Sequence, residues 1–154
     1  MALEQGQKAP NFYAKNDSGK ELRLSDLKDK KVILYFYPKD DTTGCVKEAC
    51  SFRDDIRSLA SKGAVVIGVS PDSAESHKKF KKKYSLNFFL VSDTSNEITK
   101  AYGVWKKKKF MGREFMGVER TTFVINEKGI IEKIFPRVSP DGHSKEVLEF
   151  LDSL

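Results

Sequence analysis

Several stretches of the chain are continuously apolar over the length of a single β-strand. KVILYFY (Lys31 to Tyr37) is rich in β-branched and aromatic residues without polar alternation, which predicts a strand buried on both faces. AVVIGVS (Ala64 to Ser70) predicts a second strand of this kind, and FFLVSD (Phe88 to Asp93) predicts a shorter third strand. TTFVIN and IIEKIF lie on either side of EKG (Glu127 to Gly129), a combination that predicts a β-hairpin.

Small and apolar residues recur with helical spacing after the first strand. This pattern predicts one helix with a single buried face, formed by Cys45, Ala49, Phe52, Ile56 and Leu59. Gly63 is placed to end that helix, because glycine readily adopts the left-handed conformation that follows many helix C-termini.

Three further helices are predicted from polar residues that could cap their first turns. In two of them an acidic residue lies three positions after the candidate cap, as in a capping box. The third is amphipathic and carries Val147, Leu148 and Leu151. The predicted helices are Asp72 to Tyr84, Thr94 to about Tyr102, and the segment that begins at Ser144.

The order of these elements predicts an α/β fold. A βαβ unit, a further αβ step and then an antiparallel hairpin and a helix imply a mixed central β-sheet flanked by helices. This is the thioredoxin-like arrangement, and the residues before Lys31 are expected to add an N-terminal β-hairpin around NDSGK (Asn16 to Lys20). Because no repeat or linker divides the chain, residues 1–154 are expected to form a single domain.

The composition excludes several classes of protein. The chain is 39% hydrophobic and 32% charged, as in ordinary globular proteins, and no apolar run approaches the roughly 20 residues that span a bilayer. The opening MALEQGQKAP lacks the pattern of a secretory signal, and two cysteines are too few for a disulfide-stapled scaffold. A cytoplasmic location is therefore expected.

Much of the formal net charge of +6 lies in two basic runs, KKFKKKY (Lys78 to Tyr84) and KKKK (Lys106 to Lys109). The first is expected to be a solvated helix face and the second a solvated loop. The alternative is a nucleic-acid-binding module, because Tyr84, Trp105 and Phe110 flank the runs as aromatic residues do in single-strand binders. Charge alone indicates this function only weakly.

Both cysteines lie just after the first strand, in YFYPKDDTTGCVKEACSF (Tyr35 to Phe52). Cys45 falls in the first turn of the predicted helix, where free backbone N–H groups and the helix dipole both favour a thiolate. Cys50 lies about 140° further around that helix, with its Cα about 8.6 Å away. Since a disulfide needs a Cα separation below about 7 Å, either the two thiols never bond or bonding unwinds the first turns.

Other uses of the cysteine pair fit less well. A structural zinc site needs about four ligands, whereas the two histidines, His77 and His143, lie in unrelated contexts. His143 is expected to be a surface residue near the last helix. A thioredoxin-type oxidoreductase carries Cys-x-x-Cys, not Cys-x4-Cys. Two inert core cysteines or a non-catalytic interaction domain remain as alternatives, although the polar KDDTTG before Cys45 speaks against an apolar pocket.

At this stretch the chain resembles a known family. YPKDDTTGC (Tyr37 to Cys45) is similar to the Pro-x-x-x-Thr-x-x-Cys signature of peroxiredoxins, and GCVKEACSFRD (Gly44 to Asp54) resembles their peroxiredoxin Q, or bacterioferritin comigratory protein, subfamily. The resemblance covers nearly the whole chain and includes GQKAPNF, VIGVSPDS, ERTTFVIN and DGH. One departure is that the subfamily often has Pro-Gly before the cysteine, where this chain has Thr43 and Gly44.

The resemblance implies a thiol-dependent peroxidase of the atypical two-cysteine type. Cys45 would be the peroxidatic cysteine and Cys50 the resolving one, joined during the cycle in an intramolecular disulfide. The other implied site residues are the catalytic Thr42, Arg120 and Glu48, and Pro38, Tyr37 and Gly44 in the substrate pocket. The implied partners are a hydroperoxide and a thioredoxin or glutaredoxin-like reductant. No cofactor, metal, nucleic acid or membrane is expected, and the chain is expected to be a monomer.

Overall fold

The computed structural model describes residues 3–154 and is built around a mixed β-sheet. The strands are β1 (Tyr13–Lys15), β2 (Glu21–Arg23), β3 (Lys31–Phe36), β4 (Ala64–Ser70), β5 (Phe89–Ser92), β6 (Trp105–Phe110), β7 (Arg113–Val118), β8 (Thr121–Ile125) and β9 (Ile131–Phe135). The helices are α1 (Thr43–Asp54), α2 (Ile56–Ser61), α3 (Ala74–Tyr84), α4 (Glu97–Ala101) and α5 (His143–Asp152), with a short 3-10 helix at Leu24–Leu27. None of these helices is long and apolar enough to cross a membrane.

The central sheet has five strands in the order β5-β4-β3-β8-β9. The strands β3, β4 and β5 run parallel, whereas β8 is antiparallel to β3 and β9 is antiparallel to β8. The turn between β8 and β9 contains Gly129 at φ +79°, a conformation that glycine adopts without strain. The mixed sheet and the hairpin around EKG therefore confirm the prediction from sequence.

The strand β3 is buried on both faces, as its continuous apolar sequence predicts. Successive side chains of a strand point to opposite faces. Val32 and Phe36 pack in one cluster with the N-terminal segment and α4, whereas Ile33 and Tyr35 pack in a second cluster with α1, α2, α3 and α5. Cys45 belongs to the second cluster, so the cysteine lies on the face that four helices cover.

The N-terminal extension forms the predicted hairpin from β1 and β2. The side-chain oxygen of Asn16 accepts hydrogen bonds from the backbone N–H groups of Ser18 and Lys20, at 3.0 and 3.1 Å, and so closes the turn. Asn16 also forms a β-bridge to Val91 in β5. The extension therefore covers an edge strand of the central sheet.

The prediction of a single helix after the first strand is wrong in one respect, because the helical segment divides at Asp55 into α1 and α2. Asp55 lies outside helical geometry at φ −99° and ψ 11°, and its carboxylate accepts a 2.6 Å hydrogen bond from the Ser144 hydroxyl of α5. Gly63 follows α2 at φ +75°, which confirms its predicted position after the helix.

The predicted caps of the later helices are displaced. The N-cap of α3 is Ser73, not Asp72, because the Ser73 hydroxyl accepts from the Ser76 N–H at 3.2 Å. The position before α4 is Asn96, not Thr94, and the carboxylate of Asp93 accepts from two N–H groups in the first turn. The last helix begins at His143, one residue before the predicted start at Ser144.

The prediction of a solvated loop at Lys106 to Lys109 is wrong. These lysines lie in β6, which pairs with β7 in a two-stranded hairpin. The turn residues Met111 and Gly112 both have positive φ, at 50° and 79°, as in the hairpin turns that match the twist of paired strands. The hairpin is largely exposed, so its sequence lacks the apolar alternation that identifies half-buried strands.

Candidate active site

The end of β3 and the start of α1 position the candidate site. The chain leaves β3 at Phe36, crosses a loop from Pro38 to Thr42 and enters α1 at Thr43. Thr42 is the extended N-cap residue, at φ −94° and ψ 154°. Cys45 consequently lies in the first helical turn, where backbone N–H groups have no partner within the helix.

The thiol of Cys45 is buried beside an arginine. Cys45 is 1% exposed, and Arg120 Nη2 donates a hydrogen bond to its Sγ at 3.3 Å. Arg120 immediately precedes β8, whose Thr121 pairs with Phe36 at the end of β3. The register of the two strands therefore places the arginine next to the loop that leads to the cysteine.

The same arginine also binds Glu48. Arg120 Nη1 donates to Glu48 Oε1 at 2.7 Å, so one guanidinium spans the carboxylate and the sulfur. Burial raises the pKa of Glu48 to about 7, against the opposing influence of Arg120. Burial also works to lower the pKa of Arg120, but Glu48 and Cys45 outweigh it and leave that pKa raised. The result is one half-buried cation that bonds both the Glu48 carboxylate and the Cys45 sulfur.

Glu48 has one oxygen that the arginine does not use. The Glu48 side chain is fully buried, and Oε2 has no hydrogen-bond partner among residues 3–154. Cys45 and Glu48 are three positions apart in α1 and so share a helix face. Glu48 is thus held in the site by its burial and by Arg120.

Gly44 leaves room for the arginine. A Cβ at this position would lie 3.1 Å from Arg120 Nη2 and 3.3 Å from Pro140 Cγ. Both distances are shorter than ordinary van der Waals contacts, and the backbone of Gly44 does not require glycine for its conformation. The absence of a side chain at Gly44 therefore permits the close approach of Arg120 to the start of α1.

The structure does not bring all the predicted site residues to the sulfur. The Thr42 hydroxyl donates to the Lys39 carbonyl at 2.9 Å, and Pro38 is half-buried in the same loop. Tyr37 is fully buried, and its hydroxyl donates to Asp40 Oδ1 at 2.7 Å. Of the predicted site residues, Arg120 bonds the Cys45 thiol, and Glu48 and Gly44 lie next to its guanidinium, whereas the polar groups of Thr42 and Tyr37 are engaged elsewhere.

A buried hydrogen-bond network, which the sequence analysis missed, anchors the loop before Cys45. Asp40 Oδ2 lies 2.7 Å from His77 Nδ1 and accepts from the Ser76 hydroxyl at 2.8 Å. His77 Nε2 donates to the Val91 carbonyl at 3.0 Å. His77 comes three positions before Phe80, on the buried face of α3, and this spacing was the available signal that the histidine points inward.

The same cluster contains the one group of three potential metal ligands found among the described residues, Asp40, Asp72 and His77. Asp72 Oδ2 accepts from the Asp40 N–H at 2.8 Å and from the Ser70 hydroxyl at 2.6 Å. The potential ligand atoms already have hydrogen-bond partners, so the three residues form part of a structural hydrogen-bond network.

Cys50 lies further along the intact helix. Both thiols are free, and Cys50 is half-buried in α1, which is continuous from Thr43 to Asp54. The prediction that one helix carries both cysteines is thus confirmed. In an ideal helix their Cα atoms are about 8.6 Å apart, too far for a disulfide.

His143 was expected at the surface and is instead completely buried. Its Nε2 lies 2.8 Å from the Thr122 hydroxyl, and its ring packs edge-on against Phe52 and Phe135. Burial lowers the pKa of His143, while Glu146 at 2.9 Å from Nδ1 opposes that effect. The expectation failed because the helix starts one residue earlier than predicted and turns this side chain inward.

Comparison with known proteins gives consistent matches over almost the whole chain. A family model described as the AhpC/TSA family matches residues 5–134. The putative peroxiredoxin bcp of Coxiella burnetii is 53% identical and covers 96% of this chain and 98% of its own length. Peroxiredoxin Bcp of Bacillus subtilis is 48% identical over 100% of this chain and 98% of its own length.

Solved structures show the same architecture. A cysteine-to-serine mutant of PrxQ from Xylella fastidiosa superposes with a TM-score of 0.94 at 32% identity, covering 99% of this chain and 98% of that one. Peroxiredoxin Q from Xanthomonas campestris gives a TM-score of 0.88 at 32% identity, covering 92% and 90%. The fold and the family are those of a thiol-dependent peroxidase with a thioredoxin-like sheet. The chain belongs to the AhpC/TSA family, in its peroxiredoxin Q/Bcp subfamily.

Proposed function

We propose that this enzyme reduces hydroperoxides with Cys45 as the attacking thiolate and Cys50 as the resolving thiol. The observation that carries the proposal is the 3.3 Å contact between Arg120 Nη2 and Cys45 Sγ at the N-terminus of α1. A cation and free backbone N–H groups next to a buried sulfur favour the anionic, nucleophilic form.

The first step is attack of the Cys45 thiolate on the terminal oxygen of the peroxide. A sulfur–oxygen bond forms as the O–O bond breaks, which oxidises the cysteine to a sulfenic acid and releases an alkoxide that takes up one proton. Arg120 and the N–H groups of the first turn stabilise the negative charge that develops on the oxygens. Glu48 orients Arg120 through the 2.7 Å hydrogen bond.

The loop residues are assigned supporting roles in this step. Thr42 would turn its hydroxyl from the Lys39 carbonyl, its present acceptor, to the bound peroxide. Pro38 and Gly44 shape the pocket, Pro38 by fixing the loop backbone and Gly44 by admitting Arg120. Tyr37 supports the pocket through its hydrogen bond to Asp40.

In the second step, the Cys50 thiol condenses with the sulfenic acid to give an intramolecular disulfide and one water. Because the two cysteines are too far apart in a regular helix, the first turns of α1 unwind before the bond forms. Both thiols come from one chain, so a monomer suffices for this step.

In the third step, a thioredoxin or glutaredoxin-like dithiol reduces the Cys45–Cys50 disulfide by thiol–disulfide exchange. The reductant is oxidised to its own disulfide, and α1 re-forms. This cycle uses no cofactor and suits a reducing, cytoplasmic environment.

Organic hydroperoxides are included among the substrates on the basis of a relative. A Xanthomonas campestris bacterioferritin comigratory protein, 32% identical to this chain, is described in terms of its alkyl peroxide reduction activity. We therefore assign both hydrogen peroxide and alkyl hydroperoxides to this enzyme.

Two cysteine variants test the cycle. The Cys45→Ser variant should consume no peroxide, whereas Cys50→Ser should consume one equivalent, retain a sulfenic acid at Cys45 and turn over poorly with thioredoxin. Mass spectrometry after one equivalent of peroxide separates these species. Full turnover by Cys45→Ser would refute the proposal, and a disulfide-free cycle in wild type would refute the role of Cys50.

A further inference from the structure

The β6–β7 hairpin (residues 105–118) carries a concentration of exposed apolar side chains. Seven large hydrophobic residues are exposed in the described part of the chain, and four of them lie here. They are Phe110, Met111, Phe115 and Met116, which are 68%, 88%, 48% and 48% exposed. Exposed aromatic and methionine residues grouped on one element are typical of an interaction surface.

The hairpin is also strongly basic. It contains five basic residues and one acidic residue, Glu114. Lys107 pairs with Glu114 at 2.7 Å, and Lys106 pairs with Glu119 at 3.4 Å. Among residues 3–154, no carboxylate lies within 4.0 Å of Lys109 or Arg113. The outer end of the hairpin therefore presents uncompensated positive charge next to its apolar residues.

The strand register collects two exposed aromatic residues, Phe110 and Phe115, on one face with basic residues. Residues directly opposite in an antiparallel pair share a face, and Phe110 is opposite Arg113 while Lys108 is opposite Phe115. Phe110 and Lys108 are two positions apart in β6 and so point the same way. We call this surface the basic-aromatic face; it consists of Lys106, Lys108, Phe110, Arg113 and Phe115.

The basic-aromatic face adjoins the candidate active site. The strand β7 ends at Val118, only two residues before Arg120. Lys108 is half-buried, and its pKa is lowered by burial and by the charge of Arg120, while Cys45 acts in the opposite direction. A protein that reaches the sulfur of Cys45 from this side therefore also covers the hairpin.

The other basic run, Lys78 to Tyr84 in α3, does not offer the same combination. In α3, Lys81 pairs with Asp17 and Lys83 with Asp41, at 3.2 and 2.8 Å. Of the two aromatic residues in this run, Phe80 is buried, and Tyr84 is half-buried with its hydroxyl donating to Asp41. The charge of α3 is thus partly neutralised and lacks exposed aromatic neighbours.

We propose that the basic-aromatic face is the docking surface for the dithiol protein that recycles the enzyme, and that this partner carries acidic residues around an apolar patch. The proposal rests on the proposed function. The reductant must contact the Cys45–Cys50 disulfide. The hairpin beside it offers basic side chains together with exposed apolar ones. The partner's two thiols become a disulfide, and two electrons and two protons pass to Cys45 and Cys50.

The test compares two reductants in a peroxide-consumption assay. One is a bacterial thioredoxin of net negative charge, and the other is dithiothreitol, which needs no docking surface. The test variants are Arg113→Glu and, separately, Phe110→Ser, both on the basic-aromatic face. The matched control is Lys78→Glu, the same charge reversal at an exposed position of α3.

The expected result is a KM for thioredoxin raised at least tenfold in both test variants, with the rate supported by dithiothreitol unchanged and the α3 control close to wild type. The wild-type KM for thioredoxin should also rise with salt, because screening weakens long-range attraction between the two surfaces. Thermal unfolding checks that the variants are folded.

Several outcomes would overturn the docking proposal. They are an unchanged KM for thioredoxin, an equal loss with dithiothreitol, an equal effect in the α3 control, or no turnover with thioredoxin where dithiothreitol supports it. Binding to anionic lipid vesicles or single-stranded oligonucleotides that these variants lose, with the thioredoxin KM unchanged, would assign the face to another partner. Failure of wild type to turn over with dithiothreitol would instead refute the peroxidase function itself.

Discussion

Asp40 and His77 form a buried pair that fastens the active-site loop to α3, with Asp40 Oδ2 2.7 Å from His77 Nδ1. The histidine is fully buried, and its Nε2 carries a hydrogen because it faces the Val91 carbonyl, which only accepts. Asp40 accepts further hydrogen bonds from Tyr37 and Ser76. A single carboxylate two positions before Thr42 thus ties the loop to a strand and a helix.

Removal of the carboxylate should be strongly destabilising. Asp40→Asn leaves His77 buried without its charged partner, and we expect a loss of about 3 kcal/mol in the free energy of unfolding. Urea denaturation measures the loss, and hydrogen exchange should show faster opening of residues 38–42. Asp41→Asn is the matched control, because the exposed contacts of Asp41 with Lys83 and Tyr84 are screened by water. Similar small losses in both variants would contradict this role of Asp40.

Glu48 should make stability depend on pH. Its pKa is raised from 4.5 to about 7, so between these values the folded protein holds a proton that the unfolded chain has released. Stability should therefore fall as pH rises from 4.5 to 7, by about 3 kcal/mol in total, and this contribution should level off above pH 7.

The Glu48→Gln variant isolates that contribution. Glutamine keeps the shape of the side chain and an acceptor for Arg120 but does not titrate. Urea denaturation at pH 5 and pH 8 should give a steeper decline in wild type than in the variant. Parallel pH profiles of the two proteins would show that burial does not hold the proton on Glu48.

Gly44→Ala should separate stability from activity. Alanine is favoured over glycine inside a helix by about 1 kcal/mol, so the free energy of unfolding should stay level or rise. The new Cβ would push Arg120 away from the sulfur by a few tenths of an ångström, and we expect the peroxide reaction of Cys45 to slow about tenfold. Single-turnover peroxide consumption measures this rate, with the exposed Lys47→Ala in the same helix as control. An unchanged rate would mean that Arg120 has more freedom than its contacts indicate.

Removal of the hydroxyl should change the free energy of unfolding in opposite directions for two neighbouring tyrosines. Tyr35 and Tyr37 are both fully buried in the cluster under α1, but no residue from 3 to 154 bonds the Tyr35 hydroxyl, whereas that of Tyr37 donates to Asp40. Tyr35→Phe should stabilise the protein by about 1 kcal/mol, and Tyr37→Phe should destabilise it by about 2 kcal/mol. Urea denaturation measures the free energy of unfolding of both variants. A change of the same sign in both would be inconsistent with these environments of the two hydroxyls.

The sequence predicts the central sheet well because burial on both faces leaves a continuous apolar signal. Val32 and Ile33 point to opposite clusters, and both are buried. The position of Cys45 in the first turn of a helix is predicted for a similar local reason, since the strand, the loop and the helix spacing follow one another directly.

Features that depend on distant residues were not predicted. The break at Asp55 involves a hydrogen bond from Ser144, 89 positions later, and Asp40 meets His77 across 37 positions. The caps of α3 and α4 depend on backbone angles that residue types do not specify. The place of Arg120 in the site with Cys45 was predicted only from the resemblance to a family, because no local pattern links residues 75 positions apart.

The lysine-rich hairpin was missed for a different reason. Strand patterns are recognised from alternation between a buried and a solvated side, and β6 is exposed along most of its length. Its pairing with β7 is encoded mainly by the turn at Met111 and Gly112, where the two positive φ values fix the register.

In the proposed cycle, the two elements that assemble the site would separate on disulfide formation. Cys45 and Glu48 belong to α1, whereas Arg120 is fixed by the strand β8. A bond between Cys45 and Cys50 would require the first turns of α1 to unwind, which would withdraw the sulfur from the guanidinium. An oxidised molecule would thus not react with further peroxide. Its reactivity would return only after a reductant cleaves the disulfide and the first turns of α1 re-form.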